Sequence, residues 1–177
     1  MFTPKFNRKV KHYNTKEFAK ERYDFLKQLI HEYTTTASHE CRKQTLANLA
    51  NFAYDPINYE FMKQLHLVDL FISELSNDNC DLVHFALSGI CNISCDPESR
   101  EYIICMNGVN RISELLLHKH EDIALNALTT LYYLFESKNV TIPQDIKRKV
   151  QQYAMSCNPR YKNLGSIFLD TYRLLEQ

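Results

Sequence analysis

The sequence of 177 residues has no tryptophan and only three glycines and five prolines. Glycine and proline supply most of the tight turns that join β-strands, so a sheet-rich fold of this length is disfavoured. Basic and acidic residues balance at 21 each, which disfavours a protein held to nucleic acid by a strong positive field. Apolar residues make up 45% of the chain, which is typical of a globular protein, and helices are favoured.

Long apolar runs are also missing. No stretch approaches the roughly 18 apolar residues of a membrane-spanning helix, and the first residues lack the apolar segment of a secretory signal. The six cysteines are scattered through apolar helical patterns, so we expect reduced thiols rather than a disulfide framework. These features favour an intracellular protein without membrane contact.

The apolar pattern repeats with a period of 41 residues. Four leucines fall in register at this spacing: Leu46, Leu87, Leu128 and Leu169. The apolar spacing around each leucine is that of one helix face. A second series lies between these helices: Val68, Val109 and Val150. Each unit is therefore expected to hold two principal helices, and a period of about 40–47 residues is typical of armadillo and HEAT solenoids.

Turn chemistry supports the same register. Asp55-Pro56 and Asp96-Pro97 coincide under the shift, and each pair ends a helix because the residue before proline is pushed out of the helical region. Gly108 is expected to divide the second helix of its unit into two pieces. Helices are predicted at about 16–34, 40–54, 57–75, 80–95, 98–118, 121–137, 142–156 and 159–176.

These patterns predict one all-α domain over residues 16–177, an armadillo/HEAT-like right-handed superhelical solenoid of about four 41-residue repeats. Residues 1–15 show little periodicity and several basic side chains, so we predict a flexible basic N-terminal arm there. Phe52 and Ile93 are expected in the core. Phe52→Ala should cost roughly 3–5 kcal/mol if that side chain is buried.

Three strings resemble the armadillo-repeat family. GICNIS at residues 89–94 resembles its signature of a small residue, leucine, any residue, asparagine, leucine and serine or threonine. Residues 49–53 form a second copy. LANLANFAYDP at residues 46–56 is more specific and is similar to a small nuclear branch of that family. The resemblance covers roughly residues 20–175.

The resemblance implies a non-enzymatic nuclear scaffold that takes part in pre-mRNA splicing by the minor (U12-type) spliceosome. It implies an RNA-recognition-motif protein as partner, other minor-spliceosome components nearby, and indirect contact with a capped small nuclear RNA. The sequence contains no P-loop, G-x-S-x-G, H-E-x-x-H or G-x-G-x-x-G motif. We therefore expect no enzyme activity, cofactor, metal or small-molecule substrate.

The missing tryptophan excludes one function within this family. Import-receptor repeats hold an extended basic peptide with tryptophan and asparagine one helical turn apart. Here the residues four positions before Asn51, Asn92 and Tyr133 are alanine, serine and threonine. Binding of nuclear-import cargo is therefore not expected.

Partner contacts are predicted at Asn51 and Asn92, which the resemblance places in the groove of the superhelix. A side-chain amide can both donate to and accept from a peptide backbone. Tyr133 takes the third position, so a regular amide row stops there. Three neighbours complete the predicted contact surface: Ser88, Tyr54 and Asp55. The alternatives are that the asparagines bond a neighbouring helix, and that Asp55 forms the turn before proline.

Direct RNA binding is the second functional interpretation. The arm contains Lys5, Arg8, Lys9 and Lys11, and the run 147–149 adds three further cations on an amphipathic helix. Such cations would contact phosphates, while a partner supplies sequence specificity. A solvated helix face is the alternative for the run 147–149.

Overall fold

A computed structural model describes residues 16–137 and 140–172 of the chain, and every regular element within these ranges is a helix. The basic arm predicted over residues 1–15 lies outside them. The described ranges contain ten α-helices: α1 (Lys16–Thr35), α2 (His39–Phe52), α3 (Tyr59–Gln64), α4 (Leu67–Glu74), α5 (Cys80–Ile93), α6 (Pro97–Cys105), α7 (Gly108–Glu114), α8 (Glu121–Leu134), α9 (Gln144–Ala154) and α10 (Pro159–Tyr172). Short 3-10 segments stand at Pro56–Asn58 and Leu115–Leu117.

The helices form four stacked units, which confirms the predicted solenoid. The first unit is α1 and α2, the second α3 to α5, the third α6 to α8, and the fourth α9 and α10. The last helix of each unit packs on that of the next, α2 on α5, α5 on α8 and α8 on α10. We call the solvent-accessible residues of α2, α5, α8 and α10, with the turns that follow them, the third-helix face.

Burial follows the 41-residue register. The four leucines of the main series are at most 4% exposed, and Val68 and Val150 of the second series are buried. The residues just before the first three leucines, at positions 45, 86 and 127, are buried too. One apolar core therefore runs through all four units, as expected where single units cannot bury their apolar faces alone.

Phe52 departs from the prediction, whereas Ile93, its equivalent one unit later, is fully buried. Phe52 is only partly buried, and its ring lies edge-on to Phe25 at a centroid distance of 5.5 Å. Phe25 is itself 46% exposed. The predicted core position of Phe52 was wrong because, within the described ranges, the first unit has no preceding unit to cover it.

The two central units are built from three helices each rather than two. The helix predicted over 57–75 is interrupted at His66, and the one predicted over 98–118 at Asn107. Both residues have a left-handed backbone, with φ of 54° and 60°. They lie 41 positions apart, so the interruption belongs to the repeat.

The predicted break of the helix at Gly108 is confirmed, since α6 ends at Cys105 and α7 begins at Gly108, but glycine is not the residue that turns the chain. It does not adopt positive φ; the turn is made by Asn107, and Gly108 begins α7 as a buried residue. A Cβ at this position would come within 2.6 Å of the carbonyl oxygen of Ile103 and even closer to its side chain. Glycine therefore allows α6 and α7 to approach closely.

Replacement of Asn107 by valine is expected to lower the free energy of unfolding by about 1–2 kcal/mol, because a β-branched residue is strained in the left-handed region. The side chain is exposed, so little packing is lost. Asn107→Gly is the matched control and should stay within about 0.5 kcal/mol of the wild type. Urea unfolding followed by circular dichroism measures both variants, and equal losses would contradict the assigned role of the backbone.

Candidate partner-binding surface

The predicted asparagine row lies on the third-helix face. Asn51, Asn92 and Tyr133 stand at equivalent positions near the ends of α2, α5 and α8. Asn51 is exposed, and the other two are partly exposed. Because these helices stack in order, the three residues form one row across three units.

Asn92 joins two units. Its Nδ2 donates to the carbonyl oxygen of Ala50 at 3.0 Å, and its backbone carbonyl accepts from the hydroxyl of Tyr59 at 3.2 Å. Asn92 therefore makes a hydrogen bond to a neighbouring helix, which was the alternative to a partner contact. Partner contact by Asn92 stays a prediction.

Asn51 is the equivalent residue of the first unit. No unit precedes it within residues 16–137, and its side chain makes no hydrogen bond to another described residue. Its amide therefore faces solvent with a donor and an acceptor together. An exposed amide of this kind can bond both the N–H and the carbonyl of an extended partner backbone.

Ser88 lies one helical turn before Asn92. Its Oγ donates to the carbonyl of His84 at 2.8 Å and accepts from Nδ2 of Asn126, in the next unit, at 2.9 Å. Ser88 therefore joins α5 to α8, and a partner would have to compete with Asn126 for its hydroxyl. Its partner contact also stays a prediction.

Tyr133 closes the row in the third unit. Its ring lies edge-on to Tyr132 at a centroid distance of 5.7 Å. Burial raises the pKa of the Tyr133 hydroxyl, so the group stays protonated and can donate. Burial also raises the pKa of the nearby Cys91 thiol to about 11, which keeps this thiol protonated and unreactive near neutral pH.

Tyr54 and Asp55 follow directly after α2. The side chain of Tyr54 is 78% exposed, a large aromatic surface close to Asn51 along the chain. Asp55 accepts from the N–H of Ile57 at 3.2 Å and lies 3.7 Å from the guanidinium of Arg22. Turn formation, the alternative for Asp55, is thus observed, and its partner contact stays a prediction.

Two side chains that the sequence patterns do not predict, Tyr59 and Arg100, link helices beside this row. Tyr59 reaches Asn92 of its own unit's last helix, and Arg100 occupies the position 41 residues later. Arg100 pairs with Glu136 at 2.7 Å and donates from Nε to the carbonyl of Ser94 at 3.1 Å. The sequence offers one signal for them: Tyr59 and Arg100, two long side chains of different chemistry, lie 41 positions apart at equivalent places in successive repeats.

The surface offers side-chain amides for hydrogen bonds and tyrosine rings for aromatic contact. Across residues 16–137 and 140–172 no group of three His, Cys, Asp or Glu side chains could hold a metal ion. Nor is any helix in that part of the chain long and apolar enough to span a bilayer. Amides and tyrosines arranged in this way suit the recognition of a protein backbone.

Asn92→Ala is expected to lower the free energy of unfolding by about 1–2 kcal/mol, because it removes a hydrogen bond between units. Asn51→Ala makes the same chemical change at the exposed equivalent position and should cost less than about 0.5 kcal/mol. Urea denaturation of the two variants side by side measures the difference. If both lose the same stability, the structural role assigned to Asn92 is wrong.

Stacked helical units, the two central ones built from three helices, with an asparagine row on their last helices define an armadillo-repeat protein. The chain belongs to the family of Armadillo repeat-containing protein 7. It is 37% identical to the mouse (Mus musculus) member over 155 residues, which is 85% of this chain and 78% of that protein. No protein-family model matches the chain.

Solved structures share the fold. One engineered protein superposes with a TM-score of 0.74 at 18% identity, covering 87% of this chain and 65% of its own. A designed armadillo repeat protein, solved in complex with the peptide (KR)4, superposes with a TM-score of 0.70 at 15% identity, covering 87% of this chain and 67% of its own. These likenesses confirm the all-α armadillo architecture.

Proposed function

We propose that this chain is a non-enzymatic scaffold that binds a protein partner through the third-helix face. The observation that carries the proposal is the exposed pair Asn51 and Tyr54 at the start of the row. Asn92 and Tyr133, which are equivalent to Asn51 in the next two units, are partly exposed beside it. An amide supplies backbone hydrogen bonds and a tyrosine supplies contact area at low entropic cost. Membership of the armadillo-repeat family supports this function.

The partner in this proposal is an RNA-recognition-motif protein, and the process is pre-mRNA splicing by the minor (U12-type) spliceosome in the nucleus. The string at residues 46–56 and the 37% identity to Armadillo repeat-containing protein 7 support it. Other minor-spliceosome components would then lie nearby. A capped small nuclear RNA would be contacted indirectly, which suits a chain of zero net charge.

Direct RNA binding is the weaker alternative. Within the run 147–149, Arg148 is exposed, but Lys149 donates to Oε1 of Gln152 at 3.2 Å and lies 5.9 Å from the centre of the Tyr153 ring. The arm over residues 1–15 lies outside the described ranges. A salt series with a short RNA tests this alternative, because phosphate-driven affinity falls steeply with salt.

Co-expression with the RNA-recognition-motif proteins of the minor spliceosome, followed by gel filtration, tests the proposal. One of them is expected to co-elute with the chain at micromolar concentration without added RNA. Ribonuclease treatment before the column is the control, because a complex held together by RNA would separate. Two separate peaks for every candidate would refute the proposed partner class.

A further inference from the structure

A cavity of about 250 Å³ lies between the second and third units. It is lined by α3, α4, α6 and the turn after α3, and it includes no residue of the third-helix face. The ring of Tyr102, 40% exposed, forms its accessible apolar wall, and the almost fully buried Met62 and Val68 lie at its base. Pockets for small-molecule ligands usually measure about 300–1,000 Å³, so this one has room for a single long side chain.

The rim of the cavity carries a surplus of negative charge. Lys63 lies 2.5 Å from Glu98, 3.3 Å from Glu60 and 4.0 Å from Asp96. Asp69 adds a fourth carboxylate. One lysine thus stands among four acidic groups, and the side chain of Glu98 is 78% exposed. The cavity is therefore complementary to an additional cation.

Asp69 is positioned but incompletely hydrogen-bonded. Its Oδ1 accepts from the hydroxyl of Tyr102 at 2.7 Å. Its Oδ2 is buried without a hydrogen-bond donor in the described part of the chain, and the exposed ring of His66 lies 3.5 Å from it. A buried carboxylate oxygen without a donor is unfavourable, so an incoming N–H group is stabilised there.

We propose that this cavity, the inter-unit socket, receives an arginine side chain of a protein partner. The aliphatic stem would pack on Met62 and Val68, and the guanidinium would stack on Tyr102 while donating to Glu98. Rotation of the exposed His66 ring opens Asp69 Oδ2 to a second bond. Arginine fits better than lysine, since its planar guanidinium stacks and bonds two carboxylates at once.

The socket does not rest on the proposed function, since the residues that line it are separate from the third-helix face and only Asp96 of its rim lies in a turn of that face. Methionine-methyl NMR tests it in the full chain, which contains four methionines. Met62 lines the socket, and Met155, 83% exposed in the fourth unit, is the internal control. The probe is Nα-acetyl-arginine amide, and the neutral isostere Nα-acetyl-citrulline amide is its matched control.

The arginine probe is expected to shift the Met62 signal saturably and leave Met155 unmoved, with the citrulline and lysine analogues at least fivefold weaker. Glu98→Gln should weaken the arginine probe at least threefold, whereas Asn51→Ala should leave it unchanged. The socket is refuted if Met62 does not respond, if Met155 shifts equally, or if citrulline binds as well. Equal or tighter binding of the lysine analogue overturns the assignment to arginine.

Discussion

Phe71→Ala is expected to lower the free energy of unfolding by about 3–5 kcal/mol. Phe71 lies in α4, is fully buried and belongs to the core that runs through the four units. Gly89 of α5 makes room for its ring, because a Cβ at residue 89 would come within 2.5 Å of it. Removal of the ring therefore leaves a cavity between α4 and α5 that close packing on both sides keeps open.

Phe52→Ala is the matched control for this prediction. It deletes the same ring from a half-buried position at the edge of the first unit, so we expect a loss of about 1–2 kcal/mol. Urea unfolding monitored by circular dichroism at 222 nm, a wavelength that reports helix content, measures both variants. Equal losses, or a larger loss for Phe52→Ala, would contradict the burial pattern of the first two units.

The double replacement Asn51→Ala with Tyr54→Ala is expected to weaken binding of the RNA-recognition-motif partner by about 30-fold or more. Truncation of a tyrosine at an interface hot spot costs about 2 kcal/mol or more, which corresponds to roughly 30-fold in affinity. Both side chains are exposed, so the stability of the chain should change by less than about 1 kcal/mol. Asn92 is left intact because its amide also joins two units.

Calorimetric titration of the purified partner into each variant measures this change. Asn110→Ala is the control, since it removes an exposed asparagine from α7, outside the third-helix face. It should bind like the wild type. If the double variant also keeps its affinity, the interface lies elsewhere on the molecule.

Most of the fold follows from the 41-residue register. Apolar residues at helical spacing identify the last helix of each unit, and Asp-Pro pairs mark where two of those helices end. The interruption at His66 has no such signal, since neither glycine nor proline stands there. The packing of the helices on either side holds this non-glycine residue in the left-handed conformation. A local sequence pattern carries no information about that packing.

The candidate surface is predictable in position but not in detail. Register alone places Asn51 and Asn92 at equivalent sites, yet one faces solvent and the other bonds the preceding unit at Ala50. The difference depends on whether a unit precedes the residue in space. The hydrogen bond from Arg100 Nε to the carbonyl of Ser94, in the preceding unit, is likewise a contact between units that periodicity does not reveal.

Hydrogen–deuterium exchange of the chain, alone and with the RNA-recognition-motif protein bound, shows directly which face the partner covers. We expect slower exchange at the ends of α2 and α5 and in the turns that follow them, about residues 48–56 and 89–97, where Asn51, Tyr54 and Asn92 lie. Protection confined to α3, α4, α6, α7 and α9, with the third-helix face unchanged, would contradict this expectation.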